Sequence, residues 1–215
     1  GDMSVETVRA NEEYVVTLEL DENYLSDPLT AYPLIIDPSI DITYENSGAD
    51  AFEDATINSA AGTSGSGTTL NVGLRSSYGI ARILVKFPGL DLSPIASADN
   101  IVSARFRVRD LMCYSTHLPV NCHVFKSAWT ENTVNWSSTN PNNYNSQVLD
   151  TLTVYYNNGN HVGEGYTHSN IYEFNVLQAV KGWKSGTYNQ NAGIMLKTTA
   201  AIENGSNNIS VVFAS

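Results

Sequence analysis

Two stretches limit this chain more than anything else in it. In "GIARILVKF" (79–87), Ala81, Ile83, Val85 and Phe87 alternate with Arg82, Leu84 and Lys86. In "NIVSARFRVRDLM" (100–112), Val102, Ala104, Phe106 and Val108 alternate with Ser103, Arg105, Arg107 and Arg109. A period of two puts successive side chains on opposite sides of an extended strand, which suits a sheet with one apolar and one polar face. The same strand-forming composition recurs at 13–20, 118–129, 147–157, 170–176, 192–198 and 209–215. Only "NVLQAVKGWKSG" reads as helix, near residues 175–183: Val176, Val180 and Trp183 fall at helical spacing, and Gly182 or Gly186 ends it. Many short strands with one short helix predict an all-β fold, an antiparallel jelly-roll-like β-sandwich.

Turn and breaker residues divide the chain. Pro28 and Pro33 forbid regular structure after the first strand, and Pro38 stops "LIIDPS". Residues 1–40 therefore read as an N-terminal β segment or connector, hairpin-like, and residues 41–215 as the main module. Residues 60–69 form a glycine- and serine-rich loop. Asn157-Asn158-Gly159 and Asn204-Gly205 read as hairpin turns.

The chain of 215 residues has a net charge of −11 although only 15% of residues are charged; 23 Asn, 22 Ser and 18 Thr supply the polarity. That composition favours strands and turns over helices, and it suits an extracellular surface. The acidic balance argues against nucleic acid as a partner. No apolar run is long enough to span a membrane. No secretory leader is visible. The opening Gly1-Asp2-Met3-Ser4 reads as a boundary scar, so a leader is expected in a longer parent chain.

Six of the eleven Lys and Arg residues fall between 75 and 109, the first of them Arg75. If the two alternating strands share a sheet, Arg82, Lys86, Arg105, Arg107 and Arg109 can project from one face. Guanidinium forks bind carboxylates in pairs, so such a strip suits a uronate or another anionic glycan. The alternative is cross-strand ion pairing with the chain's own carboxylates. Tyr144, Tyr155, Tyr156 and Tyr166 are candidate sugar platforms or half-buried strand residues. Asp50, Glu53 and Asp54 are weak candidates for a structural calcium. His161, Glu164 and His168 have a spacing that can gather a metal, but their polar, glycine-containing loop favours solvation. No other cofactor is implied. Cys113 and Cys122 either oppose each other across a hairpin centred near His117, as a disulfide, or remain two buried thiols. There is no G-x-S-x-G elbow and no H-E-x-x-H, so the chain is not expected to be an enzyme. In "SAWTENTVNW" (127–136), Trp129 is expected to be buried, Glu131 or Asn132 to hydrogen-bond backbone in the turn, and Trp136 to be less committed.

Several segments resemble one known family. "LNVGLRSSYGIARILVKFPGLDL" is similar to its L-x-V-G … R-x-L-x-x-F-x-L opening, and "IVSARFRVRD" to its I-x-S-A-x-L-x-L strand. "SAWTENTVNW" resembles its W-T-E-x-x-V-x-W element. "YEFNVLQAVKGWKSGTYNQNAGIMLK" resembles its F-D-V-T-x-x-V-x-x-W-x-x-G-x-x-N-x-G-I-x-L run, and "VFAS" the start of its closing strand. The family is the DNRLRE-type module, related to disaggregatase-associated and carbohydrate-binding-module-like β-sandwiches, and the likeness runs over about 45–215. "AYPLIIDPSI" is similar to the connector preceding such modules in large bacterial cell-wall-associated and Rhs-type proteins. The resemblance implies a non-catalytic module of a secreted or surface-anchored bacterial protein. Its partners would be a polysaccharide or cell-wall glycan and the other domains of the parent chain. A structural spacer or adhesin segment is the alternative, and a fragment of a polysaccharide-degrading enzyme a more distant one.

Overall fold

The computed structural model describes residues 2–9, 13–19, 51–60, 67–115, 117–155, 171–206 and 208–215. The chain divides into two compact units, Gly1–Asp41 and Ile42–Ser215. In the first, β1 (Asp2–Arg9) and β2 (Glu13–Glu19) pair antiparallel, with Val5 opposite Val16.

The second unit is all-β and antiparallel. Its strands are β3 (Glu53–Asn58), β4 (Thr69–Arg75), β5 (Gly79–Lys86), β6 (Arg105–Cys113), β7 (His117–Phe125), β8 (Tyr144–Tyr155), β9 (Ile171–Asn175), β10 (Ile194–Thr198) and β11 (Ile209–Ala214). Their order in space is β8-β7-β10-β5-β4-β11-β6-β9, with β3 added beside β5. The sheet branches at β5. Ile83 pairs with both Thr56 of β3 and Leu196 of β10, while Ala81 pairs with both Asn58 of β3 and Gly73 of β4. A strand has two edges, so β3 takes one, and β4 and then β10 share the other. The ends of the path also meet: the Asp150 carboxylate on β8 accepts the Asn175 N–H of β9 at 2.8 Å, and the Tyr172 hydroxyl accepts the Tyr155 N–H at 3.4 Å. The sheet is thereby nearly closed, and the edge groups that would invite a foreign strand are partly used.

The inward residues form one core. Ile83 and Val85 of β5, Val120 and Val124 of β7, Leu196 of β10, and Val211 and Phe213 of β11 are all buried in it. The predicted helix is present as α1 (Leu177–Lys184), with Val176, Val180 and Trp183 buried in the same core and Phe87 5.8 Å from the Trp183 ring. Lys181 and Lys184 in its last turn suit the negative end of the helix dipole. A Cβ on Gly182 would meet the Tyr188 ring at 2.0 Å, so that position requires glycine. Asn204-Gly205 is not a hairpin turn. It follows a second short helix, α2 (Ala200–Glu203), and the flanking strands do not pair: β10 lies between β5 and β7, β11 between β4 and β6.

A second, smaller core lies on the outer side of β5. Leu84, Met195, Ala55, Ile57 and Phe125 point away from the main core and are roofed by Trp129 and Val134. The roof is the segment 126–143 between β7 and β8. Asn135 Oδ1 accepts the N–H groups of Ser137 and Ser138, and the Thr130 carbonyl accepts those of Thr133 and Val134. Trp129 is 7% exposed, and its indole N–H donates to the Ala192 carbonyl at 3.0 Å. The next residue, Gly193, has φ 70° and would place a Cβ 2.0 Å from the Val85 carbonyl, so glycine is needed to bring this anchor point against β5. The expected burial of Trp129 holds. The turn itself is held by Thr130 and Asn135 rather than by the side chain of Glu131 or Asn132.

Candidate functional site

The five cations that sequence alternation would place on one face are separated. β5 and β6 do not pair; β4 and β11 lie between them. Arg82 and Lys86 face the second core, whereas Arg105, Arg107 and Arg109 point outward from β6.

Arg82 is 4% exposed and fully engaged. Its Nε donates to Glu203 Oε1 at 2.9 Å and its Nη2 to Glu203 Oε2 at 2.8 Å, a two-point carboxylate fork. Its Nη1 donates to the Pro141 carbonyl at 2.6 Å and to Asn142 Oδ1 at 3.3 Å. Lys197 of β10 approaches the same Glu203 oxygen at 3.4 Å and donates to the Thr198 carbonyl at 2.7 Å. The Trp136 ring lies 5.1 Å from the Arg82 guanidinium, and the Tyr144 ring 5.8 Å from both Arg82 and Lys197. His123 packs 4.8 Å from Tyr144, and its Nδ1 faces the Asn145 carbonyl at 2.9 Å. Burial pushes the Lys197 ammonium and the His123 imidazole below their usual pKa values. This arrangement clamps α2 and the roof segment onto the sheet, and it leaves Arg82 and Tyr144 little capacity for a ligand.

Lys86 is similarly committed: its Nζ pairs with Glu53 at 2.9 Å, donates to the Trp129 carbonyl at 2.9 Å and lies 5.0 Å from the Trp129 ring. Glu53 also accepts the Glu131 N–H at 3.4 Å. Asp54, on the other side of β3, accepts the Ser215 hydroxyl at 3.0 and 3.1 Å. Burial, aided by the Glu131 charge and opposed by the Ser215 hydrogen bond, raises its pKa from 3.8 to about 6. Glu53 and Asp54 are thus each tied to a protein partner; Asp50 lies outside the described residues. Among the described residues, no three His, Cys, Asp or Glu side chains gather as a metal site requires. Tyr156, His161, Glu164, Tyr166, His168 and Asn157-Asn158-Gly159 also lie outside them.

The face of β6 is different. Arg105, Arg107 and Arg109 are exposed, and Arg107 pairs with Glu173 of β9 at 2.7 Å in a pair open to solvent. Arg105 and Arg109 have no acidic partner among the described residues. Tyr155 is 54% exposed at the end of β8, edge-on to His117 with ring centroids 5.0 Å apart.

The two cysteines are free and buried. They do not face each other across a hairpin, because β6 pairs with β9 and β11 while β7 pairs with β8 and β10. Burial raises both thiol pKa values, most strongly for Cys122, so neither is an activated nucleophile. No described helix is long and apolar enough to cross a membrane.

Sequence reasoning passed over Glu203 and Lys197, whose roles depend on which elements cover the outer face of β5. It also passed over Tyr114, which lies 4.1 Å from the Arg75 guanidinium. Compared with models of known protein families and with curated proteins, the chain matches none.

Proposed function

We propose that this chain is a non-catalytic recognition module of a larger extracellular bacterial protein, and that it presents the outer face of β6 to an anionic polysaccharide. One observation carries the reading: in a chain of net charge −11, three arginines point to solvent at alternate positions of one strand. Their side chains are spaced about 7 Å apart by strand geometry, and guanidinium forks suit carboxylates. The likeness to DNRLRE-type modules agrees with this reading. Arg82, Lys86 and Tyr144 are assigned to structure rather than to the ligand.

A spacer without a small ligand is the second reading. It is favoured by the carboxylate partners of Arg82, Lys86 and Arg107. A panel of acidic and neutral polysaccharides, followed by calorimetry on Arg105→Ala and Arg109→Ala, separates the two. Recognition predicts binding to acidic members and about tenfold loss in each variant. Absence of binding across the panel leaves the spacer.

A further inference from the structure

β6 changes phase near its end. Phe213 of β11 pairs with Asp110, but the adjacent Val212 pairs with Met112, so Leu111 is the extra residue of a bulge. Before it, Arg105, Arg107 and Arg109 are exposed and Phe106, Val108 and Asp110 buried; after it, Cys113 is buried and Tyr114 exposed. The bulge thereby turns Tyr114 to the same outer side as the three arginines. Tyr114 is fixed there, with its N–H donating to the Ser210 carbonyl of β11 at 2.7 Å. Beyond β11, Arg75 at the end of β4 lays its guanidinium 4.1 Å from the Tyr114 ring centroid and 5.7 Å from that of Tyr78. The Tyr78 hydroxyl donates to Asn71 Oδ1 at 3.2 Å.

The Tyr78 and Tyr114 hydroxyls take up part of the Arg75 donor capacity, but a guanidinium carries five N–H donors and keeps others for an acceptor. Arg75 has no carboxylate partner among the described residues. The outward residues of β4, β11, β6 and β9 include four arginines and one carboxylate, Glu173. Nine residues of strand separate Arg105 from Tyr114, about 30 Å.

We propose that the Arg75–Tyr114 stack is a second contact point at the far end of the β6 face. The ligand is then a linear carboxylated polysaccharide lying along the strand, not a single acidic sugar. The inference rests on the recognition reading above. Charge complementarity supports it: the guanidinium of Arg75 continues the row of Arg105, Arg107 and Arg109. Duplex nucleic acid carries about one charge per 1.7 Å of its axis, denser than a chain with one carboxylate per sugar, so a net charge of −11 repels it more strongly.

The test is calorimetric binding of polygalacturonate and of monomeric galacturonate to the whole chain and to its Arg75→Gln, Arg75→Lys and Tyr114→Ala variants, each checked by thermal melting. Heparin, DNA and dextran serve as comparators. Polygalacturonate should bind at least tenfold more tightly per site than the monomer. Arg75→Gln should weaken the polymer about tenfold, with Arg75→Lys intermediate because it keeps the charge but loses the fork. Polymer binding unchanged in a folded Arg75→Gln or Arg75→Lys variant overturns the second contact and leaves the recognition reading standing. No binding of the unaltered chain to any acidic polysaccharide overturns both. Tighter binding of DNA than of polygalacturonate overturns the glycan as occupant, and tighter binding of heparin, which carries sulfates beside its carboxylates, overturns the carboxylate as the group recognised.

Discussion

β5 and β6 each alternate apolar side chains with cations, and each sends its apolar row into the same core. Their cationic rows have opposite fates. On β5 the row is roofed by the 126–143 segment and α2, and both cations end in closed networks with Glu203, Glu53 and main-chain carbonyls. On β6 the row is left to solvent, with Glu173 its one acidic partner among the described residues. Alternation therefore fixes which way a side chain points. Whether anything lies in that direction depends on segments distant in sequence: Arg82 and Glu203 are 121 positions apart.

The largest expected contrast comes from removing one acidic partner on each side. Glu203→Ala strands Arg82 and Lys197 as buried cations without a carboxylate and should cost about 3–5 kcal/mol in chemical denaturation. Glu173→Ala frees an exposed guanidinium and should cost less than about 1 kcal/mol. Equal losses would mean that the two rows are not differently covered. Trp129→Ala should cost about 3 kcal/mol, since it opens the smaller core and removes the indole bond to Ala192. The half-buried Trp136, changed to Ala, should cost less.

A smaller effect is expected from pH on the β5 side. The folded pKa of Asp54, about 6, lies above the unfolded value of 3.8, so the folded state favours the neutral acid. That contribution is fully present below 3.8 and is lost as pH rises through about 6. Asp54→Asn should therefore match the unaltered chain near the acid end of this window. Above it, the variant should be more stable, by about 1 kcal/mol once the carboxyl's partial exposure is allowed for. His123 works in the opposite direction, because its depressed pKa lowers stability as pH falls below 6.5; the difference between the two chains isolates Asp54. The smallest effect is chemical. Both thiols should label only on unfolding and should do so without a reductant, as free cysteines.

The strand periods and the helix over Val176–Trp183 were legible in the sequence because they are local. So was Trp129 as a buried anchor, from its place after an apolar strand. The pairing partners were not legible. "RDLMCYSTHLPVNC" reads as a hairpin, but β6 pairs with β11 and β9 while β7 pairs with β10 and β8. The bulge at Leu111 was also hidden, since strict alternation would put Tyr114 on the core side. Asn204-Gly205 carries a hairpin signal but follows α2, because β10 and β11 have other partners. On the candidate site, the sequence located the cations and could not say which would be neutralised.

The most direct measurement is the rate at which each arginine reacts with an arginine-selective dicarbonyl in the native protein, read residue by residue by mass spectrometry. The contrast between the two strands predicts rapid modification of Arg105 and Arg109, slower reaction at Arg107, and protection of Arg82 until the protein is unfolded. Modification of Arg82 at the rate of Arg105 in the folded protein would contradict it.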